Sequence, residues 1–279
     1  MAEASIPVDL FNPGQVFACL GFLEAANVLL GQAEGGFDWT DDANPRFELR
    51  VDANANPFHT VLAFLNDAQP QCLVPEGYTD SATADAPPCP LTTFPAAQPD
   101  PLTLPIRLAH AGRFIDLTHW CDGSSRKPFK LFAGQQRSAA IARQMLEAFR
   151  ALWHQRQNAV IEDPFGQTVP LGGSSFKFDA RKAWTAIDAG YSPDEQGNTV
   201  EASPLVEILA AVGLEHARPD EFETREVRYG VWKDFLPPVL ARAALGGVRV
   251  GVPMRIFCFT LDLAGKNKVV TFAQEEIAV

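Results

Sequence analysis

The first 100 residues hold almost no positive charge, 2 Lys+Arg against 14 Asp+Glu. That dearth excludes an extended basic face at the N-terminal end. Paired cysteines are missing too. The five cysteines (Cys19, Cys72, Cys89, Cys121, Cys258) are odd in number and never spaced CxxC, which argues against a disulfide framework or a zinc knuckle. Cys19 and Cys258 lie in apolar runs and are expected in the core. No charge-free apolar run reaches the ~20 residues of a membrane span, since Val16 to Leu30 is interrupted by Glu24. Met1-Ala2-Glu3-Ala4 has no basic segment of the secretory kind, so the expected location is cytoplasmic. Hydrolase and metalloprotease signatures (GxSxG, HExxH) do not occur, and the GxxxxGK[ST] order is missing as well.

What is present is a globular composition, 47% hydrophobic and 20% charged in 279 residues, with a net charge of −11. The charge is segregated. Residues 101–160 hold 9 Lys+Arg and 3 Asp+Glu, and residues 161–279 hold 12 and 17. The positive charge thus concentrates between Arg107 and Arg156, where a polyanion contact is expected.

Helix starts are marked by a recurring device, a capping residue followed by proline: Asn12-Pro13, Asn56-Pro57 and Ser203-Pro204. The first opens a helix apolar over most of its circumference, which predicts burial. The second runs through Leu65, and the third through Val212 to a stop at Gly213. Phe37 to Trp39, Phe47 to Val51, Leu104 to Leu117 (with a turn near Ala111-Gly112) and Glu223 to Trp232 read as strands. Pro237 to Leu245 reads as a short helix, and Met254 to Leu263 with Lys268 to Phe272 as a terminal hairpin. Ser138 to Gln157 is an amphipathic helix, with Ile141, Met145, Leu146, Phe149, Leu152 and Trp153 inward and Arg143, Arg150 and Arg156 elsewhere. Residues 68–105 are Pro/Ala-rich and aperiodic, a long loop or insertion. The expected fold is one α+β domain with a mostly antiparallel sheet and packed helices.

Two segments carry candidate chemistry. In Gly123-Ser124-Ser125-Arg126-Lys127-Pro128-Phe129-Lys130 and Gly134-Gln135-Gln136-Arg137, small residues expose backbone N–H groups. Arg126, Lys127, Lys130 and Arg137 suit phosphates, and Gln135 and Gln136 suit base edges. The helix beginning at Ser138 points its positive end at the same place. The second segment is Gly172-Gly173-Ser174-Ser175-Phe176-Lys177-Phe178-Asp179-Ala180-Arg181-Lys182, whose two phenylalanines read as core. His110 and His119 are nine apart, no common metal spacing, and His59 and His154 read as structural. No catalytic residue, metal or cofactor is expected from these patterns.

The opening Phe11-Asn12-Pro13-Gly14-Gln15-Val16-Phe17-Ala18-Cys19-Leu20-Gly21-Phe22-Leu23-Glu24-Ala25-Ala26 resembles the start of CRISPR-associated subunits of type I-G systems, formerly type I-U. Three further stretches are similar to the same group: Ser175 to Arg181; Trp184, Asp188 and Gly190-Tyr191-Ser192-Pro193; and Pro204 to Leu214. The resemblance implies a non-catalytic subunit of Cascade, the RNA-guided surveillance complex of antiviral defence. Its implied partners are the other subunits, the guide RNA, target double-stranded DNA and the recruited helicase-nuclease. The acidic balance favours the foot position that reads the protospacer-adjacent motif over a ferredoxin-like backbone subunit. In that role Ser124, Ser125, Arg126, Lys127, Lys130, Gln135, Gln136 and Arg137 would hold target DNA, and Lys177, Arg181 and Lys182 would meet nucleic acid or a neighbouring subunit. Two alternatives stand beside it: a guide-RNA-processing enzyme using His110, His119 or Lys130, and an acidic protein-interaction module that touches no nucleic acid.

Overall fold

The computed structural model describes residues 1–74, 86–89, 105–118, 129–132, 136–171, 174–183, 200–264 and 267–276. Within them the chain is α+β, with five helices and antiparallel sheets. The order begins β1 (Ala2–Pro7), α1 (Pro13–Leu30), β2 (Ala33–Asp38), β3 (Arg46–Val51), α2 (Pro57–Asp67) and β4 (Gln69–Cys72). This is the β-α-β-β-α-β order of a ferredoxin-like unit, and β1, β3 and β2 lie side by side, all antiparallel. The fourth strand departs from that plan. β4 pairs instead with β5 (Ile106–His110), which pairs with β6 (Arg113–Leu117). Gln69 to Cys72, inside the stretch expected to be a loop, is therefore a strand. Its polar QPQC sequence has no β-branched residue and gives no local strand signal.

Downstream come α3 (Ser138–Glu162), β7 (Val169–Pro170), β8 (Glu201–Ala202), α4 (Pro204–Gly213), β9 (Asp220–Glu223), β10 (Glu226–Trp232), α5 (Pro238–Leu245), β11 (Met254–Ala264), β12 (Asn267–Val270) and β13 (Gln274–Glu275). A second sheet runs β12-β11-β10-β9, with β13 also on β11. Two aromatic side chains tie it to the first unit. The Tyr229 hydroxyl donates to Leu10 O at 2.6 Å, and Trp232 Nε1 donates to Gly35 O at 2.8 Å.

Helix α1 is the centre of the molecule. It has the length and apolar character of a membrane span, but its faces are covered by protein, and only Asn27, Val28 and Leu30 escape full burial. Its N-terminus is capped by Asn12, whose side chain accepts from Gly14 N at 3.2 Å, as the Asn-Pro pattern predicts. α1 packs hardest on α4, and the two backbones nearly touch. A Cβ on Gly21 would lie 2.0 Å from Leu209 O, and one on Gly213 would lie 2.1 Å from Phe17 O. Glycine is required at both positions because the opposing atoms are backbone and cannot turn away. Glu24, the lone acid of α1, has its two carboxylate oxygens on the Arg242 guanidinium of α5, at 2.6 and 2.8 Å.

Cys19 is buried as expected, whereas Cys258 is half-buried beside Glu226. His59 and His154 lie on the surface, the His59 ring beside Trp153. Gly21→Ala is expected to drive α1 and α4 apart and cost roughly 3 kcal/mol, the upper range for overpacking a core. Urea unfolding measures it, and an unchanged midpoint would show that the helix contact tolerates a methyl group.

Candidate nucleic-acid interface

The basic segment divides into cations engaged inside the protein and cations turned to solvent. Arg107 is engaged: Nε and Nη2 donate to Asp116 at 2.6 and 2.8 Å, and its guanidinium covers the Phe114 ring at 3.9 Å. Arg113 donates to Leu29 O at 2.7 Å, at the end of α1. Arg150, expected on the outer face of its helix, reaches Asn66 O (2.6 Å) and Ala68 O, closing the C-terminal end of α2. Lys130 is only 9% exposed. Its Nζ donates to Phe132 O at 3.1 Å and lies 4.5 Å from the Phe132 ring centroid, because Phe129, Leu131 and Phe132 on either side are all core. Arg137, Arg143 and Arg156 are exposed. Ser124, Ser125, Arg126, Lys127, Gln135 and His119 lie outside the described residues.

Arg137 occupies the cap of α3, with no side-chain hydrogen bond closing that end. The positive end of a long helix thus lies beside an exposed guanidinium. Neighbouring Gln136 is half-buried. Its Oε1 is one of two enclosed side-chain polar atoms without a hydrogen-bond partner among the described residues, the other being Asn66 Oδ1. α3 is longer than the predicted Ser138 to Gln157 and bends at Arg156, whose φ of −143° and ψ of 40° leave the helical region.

The second candidate segment is built differently from the first. Phe176 and Phe178 are fully buried, as their spacing predicts, and Phe178 stacks on Phe129 at 6.3 Å. Between and after them the chain is fixed by two buried carboxylates. Asp179, 1% exposed, accepts from Asn12 Nδ2 (2.9 Å), from Ser203 N (2.9 Å), and from Arg181 Nε (2.9 Å) and Nη2 (2.7 Å). Asn12 caps α1 and Ser203 caps α4, so one carboxylate bridges the positive ends of two helices. Glu207, fully buried in the first turn of α4, accepts from Lys177 N at 2.7 Å and Asp179 N at 3.1 Å. Burial, and then the neighbouring Asp179, push the Glu207 carboxyl above its ordinary value of 4.5. Gly14 completes the clamp, for a Cβ there would meet Phe178 O at 2.3 Å.

Of the cations predicted in this segment, Arg181 is bound to Asp179, and Lys182 Nζ reaches Ser175 Oγ at 3.3 Å. Lys177 is half-exposed and has no ion-pair partner among the described residues. The structure does bring Lys177, Arg181 and Lys182 together. Phe129 and Phe132, which lead toward α3, pack on Phe178 and Phe176, the two residues that flank Lys177. Sequence reasoning missed Asn12, Ser203 and Glu207 as one cluster with Asp179. The available signal was a lone acid inside the otherwise apolar run Pro204 to Leu214.

A cleft of ≈ 320 Å³ lies among α1, β6 and the end of α4, lined by Glu24, Val28, Phe114, Asp116, Glu215 and His216, with Thr118 between. Three carboxylates in that wall oppose a polyanion. Each is engaged: Glu24 with Arg242, Asp116 with Arg107, and Glu215 as the acceptor for Thr118 N (2.7 Å) and its hydroxyl. Among the described residues no His/Cys/Asp/Glu group is arranged to hold a metal ion.

Two outcomes follow for the clamp. Asp179→Asn should destabilise the fold by about 3 kcal/mol or more, because it removes one partner of a largely buried ion pair and turns an amide N–H₂ toward donors. Chemical denaturation measures this, and a loss below ~1 kcal/mol would contradict the bridging role. Glu207→Gln should cost more in acid than at neutral pH. The folded state holds the Glu207 proton more tightly than the unfolded chain, so wild-type stability gains from this group as pH falls through its raised value toward 4.5. Glutamine lacks that gain, and a pH-independent difference between the two proteins would contradict the assignment.

No protein-family model, curated protein or solved structure matches the chain.

Proposed function

We propose that the protein is a non-catalytic subunit of a type I CRISPR surveillance complex that helps to hold target DNA near the protospacer-adjacent motif and to recruit the nuclease. One observation carries this reading. Three stretches that resemble the type I-G subunits, far apart in the sequence, meet in one clamp. Asn12 and Gly14 come from the first, Phe178, Asp179 and Arg181 from the second, and Glu207 from the third, beside its cap Ser203.

The DNA contact is assigned to the segment before α3. Arg126, Lys127 and Arg137 supply phosphate contacts, the N-terminal end of α3 adds its dipole, and Gln135 and Gln136 supply base-edge contacts. Lys130 takes no part, because its ammonium is turned to the Phe132 carbonyl. Guide pairing supplies the remaining sequence specificity.

A second reading, a backbone or guide-RNA-processing subunit of the same complex, is favoured by a different observation. The opening β-α-β-β-α-β order with β1, β3 and β2 adjacent is that of a ferredoxin-like unit.

The test is reconstitution with the other subunits and guide RNA. Reversing Arg126, Lys127 and Arg137 to Glu is expected to leave assembly intact and weaken target-duplex binding by roughly tenfold or more, about 1.4 kcal/mol. Unchanged duplex affinity would remove the DNA contact from this segment. Failure of the wild-type chain to assemble would remove the complex itself.

A further inference from the structure

Lys177 adopts a backbone conformation that its own packing does not explain. Among the described residues, five non-glycine residues have positive φ: Gln32, Ala111, Phe129, Lys177 and Arg225. Gln32, Ala111 and Arg225 lie in exposed turns between consecutive elements. Phe129 is buried, and its ring packs on Phe17, Phe178 and Phe259. Lys177, at φ 69°, has neither reason, since its side chain is half-exposed and without an ion-pair partner among the described residues. The left-handed region disfavours every residue that carries a Cβ, so glycine would be the easier choice.

The conformation is imposed by Glu207, whose two oxygens hold the N–H groups of Lys177 and Asp179. Phe176 and Phe178 are thereby turned inward together, and Lys177 stands between them toward solvent. Other cations gather nearby. Asp179 fixes the Arg181 guanidinium, and Lys182 rests on Ser175. The short 3-10 turn Ala180–Lys182 packs against β12, which carries half-buried Lys268. The same turn also packs on β8, whose Glu201 accepts from the Thr168 hydroxyl at 2.8 Å.

We propose that Lys177, Arg181, Lys182 and Lys268 form a second polyanion contact that grips a nucleic-acid phosphate backbone, with Glu207 as its positioning residue. This surface rests on the reading of the protein as a nucleic-acid-binding subunit, and it is tested at residues other than Arg126, Lys127 and Arg137. Buried carboxylates fix the Lys177 backbone and the Arg181 guanidinium, so less freedom is lost when these two residues meet a phosphate array.

The experiment uses the full chain alone, titrated with a fluorescein-labelled duplex DNA of arbitrary sequence across a salt series beginning at low ionic strength. Lys177→Gln and Lys268→Gln should each weaken binding several-fold and reduce the slope of log K against log salt by about one. Lys177→Gly should weaken binding equally while its thermal unfolding midpoint holds or rises, which separates lost contact from lost fold. Glu207→Gln should weaken binding in the wild-type background and add nothing in the Lys177→Gly background, although its effect on the unfolding midpoint persists in both.

An unchanged salt slope in Lys177→Gln overturns the proposal. So does an equal binding effect of Glu207→Gln in both backgrounds, or a wild-type chain with no salt-dependent binding. None of these outcomes depends on assembly with other subunits, so failure of the complex and failure of this surface are read separately.

Discussion

A single carboxylate joins the ends of the two helices that form the core. Asp179 receives the cap of α1 through Asn12 and the cap of α4 through Ser203, and it is neutralised by Arg181 from its own segment. Burying an isolated carboxylate would cost several kcal/mol. Here two helix N-termini and a guanidinium offset that cost, and Glu207 anchors the adjoining backbone. The apolar contacts supply most of the stabilisation, with Phe17, Phe22, Phe176 and Phe178 each worth about 1.5–3 kcal/mol of burial. They are not directional, however. The clamp sets where α1 meets α4, which in turn makes Gly21 and Gly213 obligatory.

This arrangement changes the meaning of the positive charge. A basic stretch in an acidic chain invites the reading that all of its cations face a ligand. Arg107, Arg113, Lys130 and Arg150 instead complete an ion pair or occupy backbone carbonyls. Arg137, Arg143 and Arg156 keep their charge at the surface. In the second segment buried acids hold the backbone and the Arg181 guanidinium, and Lys177 is left half-exposed.

Local structure was legible in the sequence wherever the signal was local. Asn12-Pro13, Asn56-Pro57 and Ser203-Pro204 each start a helix, and the hairpins around Ala111-Gly112 and near Asn267 form as their alternation predicts. β4 was not legible, because its strand character comes from pairing with Ile106 to Ala109 and not from its own residues. The clamp was legible only in fragments. Asn12 read as a cap, Phe176 and Phe178 as core, and Glu207 as an acid in an apolar helix. Nothing in one sequence states that residues 12, 179, 203 and 207 touch. The engaged role of Arg150 was hidden for the same reason, since its acceptors, Asn66 O and Ala68 O, are backbone atoms more than 80 positions away.

Native-state hydrogen exchange tests the central claim most directly. The amides of Lys177, Asp179 and Ser203, which donate to the two buried carboxylates, should exchange only through global unfolding, with opening free energies equal to the stability measured by denaturant. Exchange of these three amides through local openings well below the global value, while α1 stays protected, would show that the clamp is an ornament on a core held together without it.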